Sequence, residues 1–364
     1  MRLLVSIGGA MALSSVLWAR AGARDAAFGQ QASAASLRTP QTVQRMQANP
    51  PPAIEPGWAD LIGEYGPDGS KIYVLEKSGR LELLRAGGGS APLHSISADA
   101  FQIAGNASCK RAKLTFLRDP RGVVTGLRLG GVLLPRRRTI APGQVFQITP
   151  LRPMDQLRRE ALASRPPVEA GKFLQPDLVD LTRLDPTIKL DVRYAGSRNF
   201  LGAPVYPEAR AFLERPAAEA LAAVSSRLHA LGYGLLVYDA YRPWYVTKMF
   251  WNGTPKEKKI FVANPREGSR HNRGCAVDLT LYDTKTGRPV PMTGGYDEMS
   301  ERSYPTYPGG TSLERWHRDL LRHAMEEEGF TVHRYEWWHF DYRGWRRYPI
   351  LNLTFEDLDR SNRR

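Results

Sequence analysis

The chain reads as an α+β protein: a mixed α+β domain built on an antiparallel sheet with flanking helices, preceded by a small all-β domain. Three observations lead there. Residues 57–149 alternate apolar and polar side chains in short runs broken by turn residues, with no helical period. From Phe173 onward, buried strands and amphipathic helices mix without the strict alternation of a parallel α/β fold. The length of 364 residues also exceeds one ordinary domain.

The first residues, MRLLVSIGGAMALSSVLWARAGA, have the parts of a secretory signal. Arg2 is a minimal positive start, Leu3–Ala19 is apolar, and Ala21-Gly22-Ala23 is a small-x-small cleavage site. An uncleaved anchor is the alternative, but the run is short for a span and is broken by Gly8, Gly9 and two serines. No cysteine follows it, which argues against a lipid-anchored form. Residues 1–23 are therefore expected as a signal peptide. The mature protein is expected to be exported, periplasmic or secreted, with no stable membrane span after cleavage. Residues 24–56, small, polar and ending in prolines, form a flexible linker.

In the all-β domain, KIYVLEKSGRLELL pairs two alternating runs across Ser78-Gly79, a hairpin signal. APLHSISADAFQIAG and KLTFLRDPRGVVTGLRLGG repeat it, with turns at Asp119-Pro120 and Arg121-Gly122. A connector at 150–172 holds a short basic helix, MDQLRREALAS. In the last domain, 173–364, a helix starts at Pro216 and is closed by glycine after HALGYG. LLVYDAYRP reads as a buried strand ending in a loop, PWYVTKMFWNG as a helix and AVDLTLY as a strand. SLERWHRDLLRHAMEEEGF is a helix capped by Ser312 and ended by Gly329, with Leu313, Trp316, Leu320 and Ala324 on one face.

The formal charge is +14, with arginine clusters at Arg136–Arg138 and Arg363–Arg364. A basic surface suits anionic partners. No nucleic-acid module is visible, so a nucleic-acid partner is not expected. Of the two cysteines, Cys109 and Cys275, the second sits in register with Val277 and Leu279 and reads as a small buried hydrophobe.

Three short stretches carry chemistry. In SRHNRGCAVD, strand alternation turns Asp278 away from the apolar face of Val277, Leu279 and Leu281. His271 reaches the same place only if Gly274 bends the chain. In EWWHF, Glu336 and His339 point to opposite faces of an ideal strand, so joint use requires a bulge or a strand end. A catalytic zinc takes three protein ligands and leaves a position for water. His271, Asp278 and His339 supply two nitrogens and one oxygen, suited to one Zn2+ per chain, and Glu336 remains a free carboxylate able to take a proton from water. In YDAYRP, Arg242 leaves the end of a buried strand and can face a carbonyl oxygen as it becomes negative. Taken singly, each piece also reads as ordinary structure: a turn histidine, an aromatic-rich core strand, a salt-bridging arginine. His94, His229, His317, His323 and His333 lack matching partners and read as surface or structural.

Together, YDAYRP, SRHNRGCAVDLTLYDTKTGRPVPM, YDEMSERS and EWWHF resemble the zinc-dependent D-alanyl-D-alanine dipeptidases, over about Leu181 to Tyr348. The resemblance implies zinc ligands at His271, Asp278 and His339, a general base at Glu336, and polarisation of the scissile carbonyl by Arg242. It also implies three substrate-binding residues: Asp297 for the free ammonium, Ser269 beside the bound dipeptide, and Tyr194 in the LDVRYAGSRNF segment. A carboxylate placed for an ammonium penalises longer peptides, whose nitrogen is an uncharged amide. The chain departs from the family in APVYPEARAF after Gly202 and in a shorter stretch between Arg242 and His271. The β domain is similar, around KLTFLRDPRGVVTGLRL, to lipocalin-like domains appended to some bacterial serine hydrolases.

The function expected is an exported metallopeptidase hydrolysing D-alanyl-D-alanine or a related D,D-dipeptide, with peptidoglycan fragments as the source of substrate. The alternatives are a D,D-carboxypeptidase or endopeptidase of the same fold and a non-catalytic cell-wall-binding protein.

Overall fold

Short alternating runs separated by tight turns fold locally into hairpins, and the described residues between 63 and 135 form a meander of them. In the computed structural model, which describes residues 50–104, 112–140 and 144–361, the strands are β1 (Gly63–Tyr65), β2 (Ile72–Lys77), β3 (Arg80–Arg85), β4 (Ser90–Ser97), β5 (Ala100–Ile103), β6 (Lys113–Arg118), β7 (Val124–Leu129) and β8 (Val132–Pro135). Each pairs antiparallel with the next. The signal segment, Cys109 and the Arg363–Arg364 pair lie outside the described residues, as does most of the linker. The expected Ser78-Gly79 turn is present, with φ of 51° and 77°, the two left-handed residues of a two-residue hairpin loop.

The last strand returns to the first. Tyr65 bridges Arg136, Gly66 N–H donates to Pro135 at 2.9 Å and Arg137 N–H donates to Glu64 at 2.8 Å. Closure removes the exposed edges an open meander would have. Tyr65, Val74, Leu83, Phe101, Leu114, Phe116 and Leu127 fill the inside.

The end of the expected β domain, after residue 143, and the expected connector both pack on the C-terminal part. Phe146 and Ile148 lie against its core, Ile148 N–H donates to Phe200 at 2.9 Å, and helix α1 (Met154–Leu162) buries Leu157 and Ala161 in it. There follow β9 (Leu178–Asp180), α2 (Leu181–Leu184), β10 (Lys189–Leu190), β11 (Phe212–Glu214), α3 (Arg215–His229), β12 (Tyr233–Asp239), α4 (Trp244–Gly253), β13 (Ala276–Asp283), α5 (Ser312–Glu327), β14 (Phe330–His333), β15 (Glu336–Tyr342) and α6 (Phe355–Ser361).

The main sheet has the order β10-β12-β13-β15-β14. It is mixed rather than purely antiparallel, because β10 pairs parallel with β12. The reason is the connection: the chain leaves β10, crosses through α3 and re-enters alongside it, and such a crossover delivers a parallel neighbour. The other three pairings are antiparallel. Helices α3 and α5 pack on each other and on this sheet. Their residues Leu221, Val224, Leu320, Leu321 and Ala324 share one core with Val277, Leu279 and Leu281 of β13. Alternation then aims Asp278 to the opposite face.

Helix α5 is capped by Thr311, not Ser312. The Thr311 hydroxyl accepts from Glu314 N–H at 3.1 Å, and Glu314 accepts from Thr311 N–H at 2.7 Å. This reciprocal box needs a glutamate three residues past the cap, which only Thr311 has. Ser312 turns instead to the β part, where its N–H and hydroxyl meet the Glu76 carboxylate at 2.6 and 3.1 Å.

That contact belongs to a wider joint, since all described residues form one unit. Buried Lys71 lies between Glu64, at 3.3 Å, and Glu301, and Tyr307 donates to Glu64 at 2.8 Å. Tyr73, Leu75 and Tyr307 form a small apolar cluster beside it. The strands of the first half are thereby fastened to residues 301–312 of the second. No described helix is long and apolar enough to cross a membrane.

Candidate metal centre

The sheet register builds the centre. Asp278 on β13 lies directly across from His339 on β15, in antiparallel pairing. The third side chain arrives from outside the sheet, on a single 3-10 turn, His271–Arg273. That turn stops at Gly274, with φ +62° and ψ 23°, the bend the sequence required. A Cβ there would stand 2.4 Å from Leu178 Cδ2 and 3.2 Å from Glu214 N. Replacing Gly274 by Ala is therefore expected to destabilise the fold by about 1–3 kcal/mol, from the left-handed backbone and the clash together. A urea midpoint equal to wild type would contradict this.

The three inner atoms form a nearly equilateral triangle. His271 Nε2 is 3.3 Å from Asp278 Oδ1, His339 Nδ1 is 3.0 Å from the same oxygen, and the two nitrogens are 3.0 Å apart. Their outer partners fix the protons. His271 Nδ1 faces the Ala240 carbonyl at 2.6 Å, and His339 Nε2 faces the Asp341 carboxylate at 2.9 Å. Both partners only accept, so both outer nitrogens carry the hydrogen and both inner nitrogens present lone pairs. Asp278 Oδ1 is buried without a donor, while Tyr296 donates to Oδ2 at 3.0 Å.

With both imidazoles neutral, three lone pairs face one another and call for a cation between them, a metal ion or, without one, a proton. Ligands held about 2.0–2.1 Å from a tetrahedral ion stand ~3.3 Å apart, close to the spacing seen here. Outer N–H groups tied to acceptors are the usual support of metal-binding imidazoles. The electrostatics agree. Burial disfavours a charged His339, but Asp341 and Asp278 outweigh it and push its pKa up to about 10. Burial would raise Asp278, yet the two imidazoles hold it below the usual carboxylate range. His271, Asp278 and His339 thus fit a divalent metal ion.

Glu336 and His339 share a side because β15 bulges. Val332 pairs with Phe340, but the next residue, His333, pairs with Glu336, so the register slips by the residues between. Glu336 Oε2 is 3.7 Å from His339 Nδ1. Burial pushes its pKa up to about 7, with Asp278 adding to the rise and His339 opposing it. Arg242 is held by Asp239, through Nε at 2.9 Å and Nη2 at 2.6 Å, and Tyr206 donates to the other Asp239 oxygen at 2.8 Å. Its Nη2 is 3.8 Å from Asp278 Oδ2.

Asp297 adopts φ +59°, a left-handed conformation that aspartate tolerates better than most residues. Tyr194 donates to its carboxylate, 3.0 Å from each oxygen, and burial, then Asp278, raises its pKa well above the ordinary value. Ser269 accepts from His271 N–H at 3.2 Å. All eight site residues expected from the sequence line one pocket of about 130 Å³: Tyr194, Arg242, Ser269, His271, Asp278, Asp297, Glu336 and His339.

Several residues of the site were not anticipated. Asp341 supports His339, and strand alternation two positions on was a signal for it. Tyr296, Asp239 and Arg270 needed the tertiary fold. His333, expected at the surface or in a structural place, lies on the pocket wall 3.6 Å from Glu336, because the β14–β15 pairing brings it there. Cys275 is buried and free, as expected, and burial raises its thiol pKa far above normal.

Comparison with known proteins places these residues in context. Residues 175–356 match the model of the peptidase M15 family, described as D-ala-D-ala dipeptidase. The D-alanyl-D-alanine dipeptidase of Escherichia coli K12 is 37% identical over 179 residues, covering 49% of this chain and 91% of that protein. The enzyme of the same name from Enterococcus faecalis is 38% identical over 174 residues, covering 42% of this chain and 85% of its own length. That from Streptomyces coelicolor is 33% identical over 171 residues, with the same two shares.

Proposed function

This chain belongs to the D-ala-D-ala dipeptidase family, peptidase M15, and is a peptidase; on that premise we propose that it is an exported zinc dipeptidase that hydrolyses D-alanyl-D-alanine released from peptidoglycan. The observation that carries this reading is the triangle of lone pairs of His271, Asp278 and His339 with the uncoordinated Glu336 carboxylate beside it. A structural metal site has no use for such a base. Export rests on the first 23 residues.

Zinc held by the three side chains would supply a Lewis acid and lower the pKa of water toward about 7. Glu336 takes the proton of the attacking water and delivers it to the departing amine, a task suited to a carboxyl whose pKa lies near 7. Arg242 cannot swing away, because Asp239 grips it, and its charge faces the carbonyl oxygen as that oxygen becomes negative. Asp297, oriented by Tyr194, receives the ammonium of the substrate. Ser269 borders the bound dipeptide.

The test is a pair of substrates. D-alanyl-D-alanine is expected to be cleaved with a kcat/KM at least about 100-fold above that for its N-acetyl form, because acylation removes the charge Asp297 receives and leaves a buried carboxylate unpaired. Asp297→Asn should erase most of that preference. A preference for the acylated peptide would make the enzyme a D,D-carboxypeptidase instead.

A further inference from the structure

We propose that Arg270 binds the free carboxylate of the substrate, so that the pocket measures a molecule by charge at both ends. The inference rests on the dipeptidase reading and adds the group that recognises the leaving residue.

A dipeptide brings an anion as well as an ammonium, and the site residues above offer the anion no free partner. Arg242 gives Nε and Nη2 to Asp239, and its remaining edge is assigned to the carbonyl oxygen. Arg273, two residues on from the ligand His271 in the same turn, is committed to the Tyr348 carbonyl and to Glu169. Arg270 lines the pocket, and its buried Nε has no hydrogen-bond partner. The nearest carboxylate oxygen, Asp341 Oδ2, is 3.5 Å from that nitrogen, while Asp341 Oδ1 is taken by His339. The guanidinium carbon lies over Trp345, 4.8 Å from the ring centre, a contact that restrains the side chain while its N–H groups can still take a bidentate partner.

Position agrees with chemistry. Asp297 keeps company with Tyr194, Arg242 and Asp278. Arg270 keeps company with Asp341, His333 and Trp345, and Asp341 holds the outer nitrogen of His339. The two charged residues thus flank the metal ligands from separate neighbourhoods. In a dipeptide the terminal carboxylate carbon lies less than about 4 Å beyond the scissile carbonyl carbon. Arg270 lines the same pocket as His271, Asp278 and His339, and its long side chain is the cation there without a hydrogen bond at Nε.

The experiment compares D-alanyl-D-alanine with its C-terminal amide, using zinc-loaded full-length protein. Wild type is expected to favour the acid. Arg270→Met should raise KM for the acid about 10- to 100-fold, the worth of a lost charge-assisted pair, with kcat within a few-fold and zinc content unchanged. The amide should show the same KM with both proteins, and Arg270→Lys should recover part of the loss on the acid. Equal losses on acid and amide would overturn the assignment, since they would mean that Arg270 acts only through Asp341 and His339. A wild type indifferent to the amide would overturn it too. If the enzyme instead prefers N-acylated peptides, the dipeptidase reading falls, and the same acid–amide contrast on those peptides still decides the role of Arg270.

Discussion

Glu336→Gln is expected to lower kcat by about 10²- to 10⁴-fold while zinc stays bound in full. Glutamine keeps the shape and the pocket contacts of glutamate but takes no proton at neutral pH. The Glu336 oxygen stands 3.7 Å from His339 Nδ1, outside the tight triangle of the other three donors, so its loss should not open the metal site. Turnover and metal content must be measured on the same sample. Full activity would remove Glu336 from the chemistry; loss of zinc along with activity would make it a ligand rather than a base.

The second large effect concerns folding. Without a cation, the inner nitrogens of His271 and His339 and Asp278 Oδ1 face one another at 3.0–3.3 Å, and a proton must enter the cluster to relieve them. Zinc added to chelated protein should therefore bind the native state strongly. At a free concentration a hundredfold above Kd, linkage adds about 2.7 kcal/mol of stability. For a protein of this size that is several degrees in Tm. His271→Ala should abolish the rise, because the remaining two donors no longer close a site. A zinc-dependent Tm in that variant as large as in wild type would place the ion elsewhere.

How much of this was legible before the fold was known follows from distance along the chain. The strand AVDLTLY and the turn at Gly274 are local facts, and they allowed His271 to come back toward Asp278 without requiring it. The conflict between Glu336 and His339 on an ideal strand announced the bulge that β15 contains. The resemblance of spaced motifs then joined pieces that periodicity alone leaves unconnected. What escaped was set by tertiary pairing. The parallel edge at β10 depends on a crossover, not on the composition of the strand. His333 reaches the pocket only through the slipped register. The Thr311 cap follows from the local Thr311–Glu314 spacing, whereas the turn of Ser312 toward Glu76 needed the fold. No local pattern encodes the Lys71–Glu301 pair.

That last pair has a bearing on how the pocket is held. Residues 301–312 continue directly from the segment that presents Asp297, and they are bolted to strands that never approach the substrate. The family match spans residues 175–356, so the brace under the Asp297 segment comes from strands outside it. A change at Glu64 or Lys71, remote from any reacting atom, thereby shifts the footing of one wall of the binding cleft. The barrel strands and that wall of the cleft are therefore mechanically one piece.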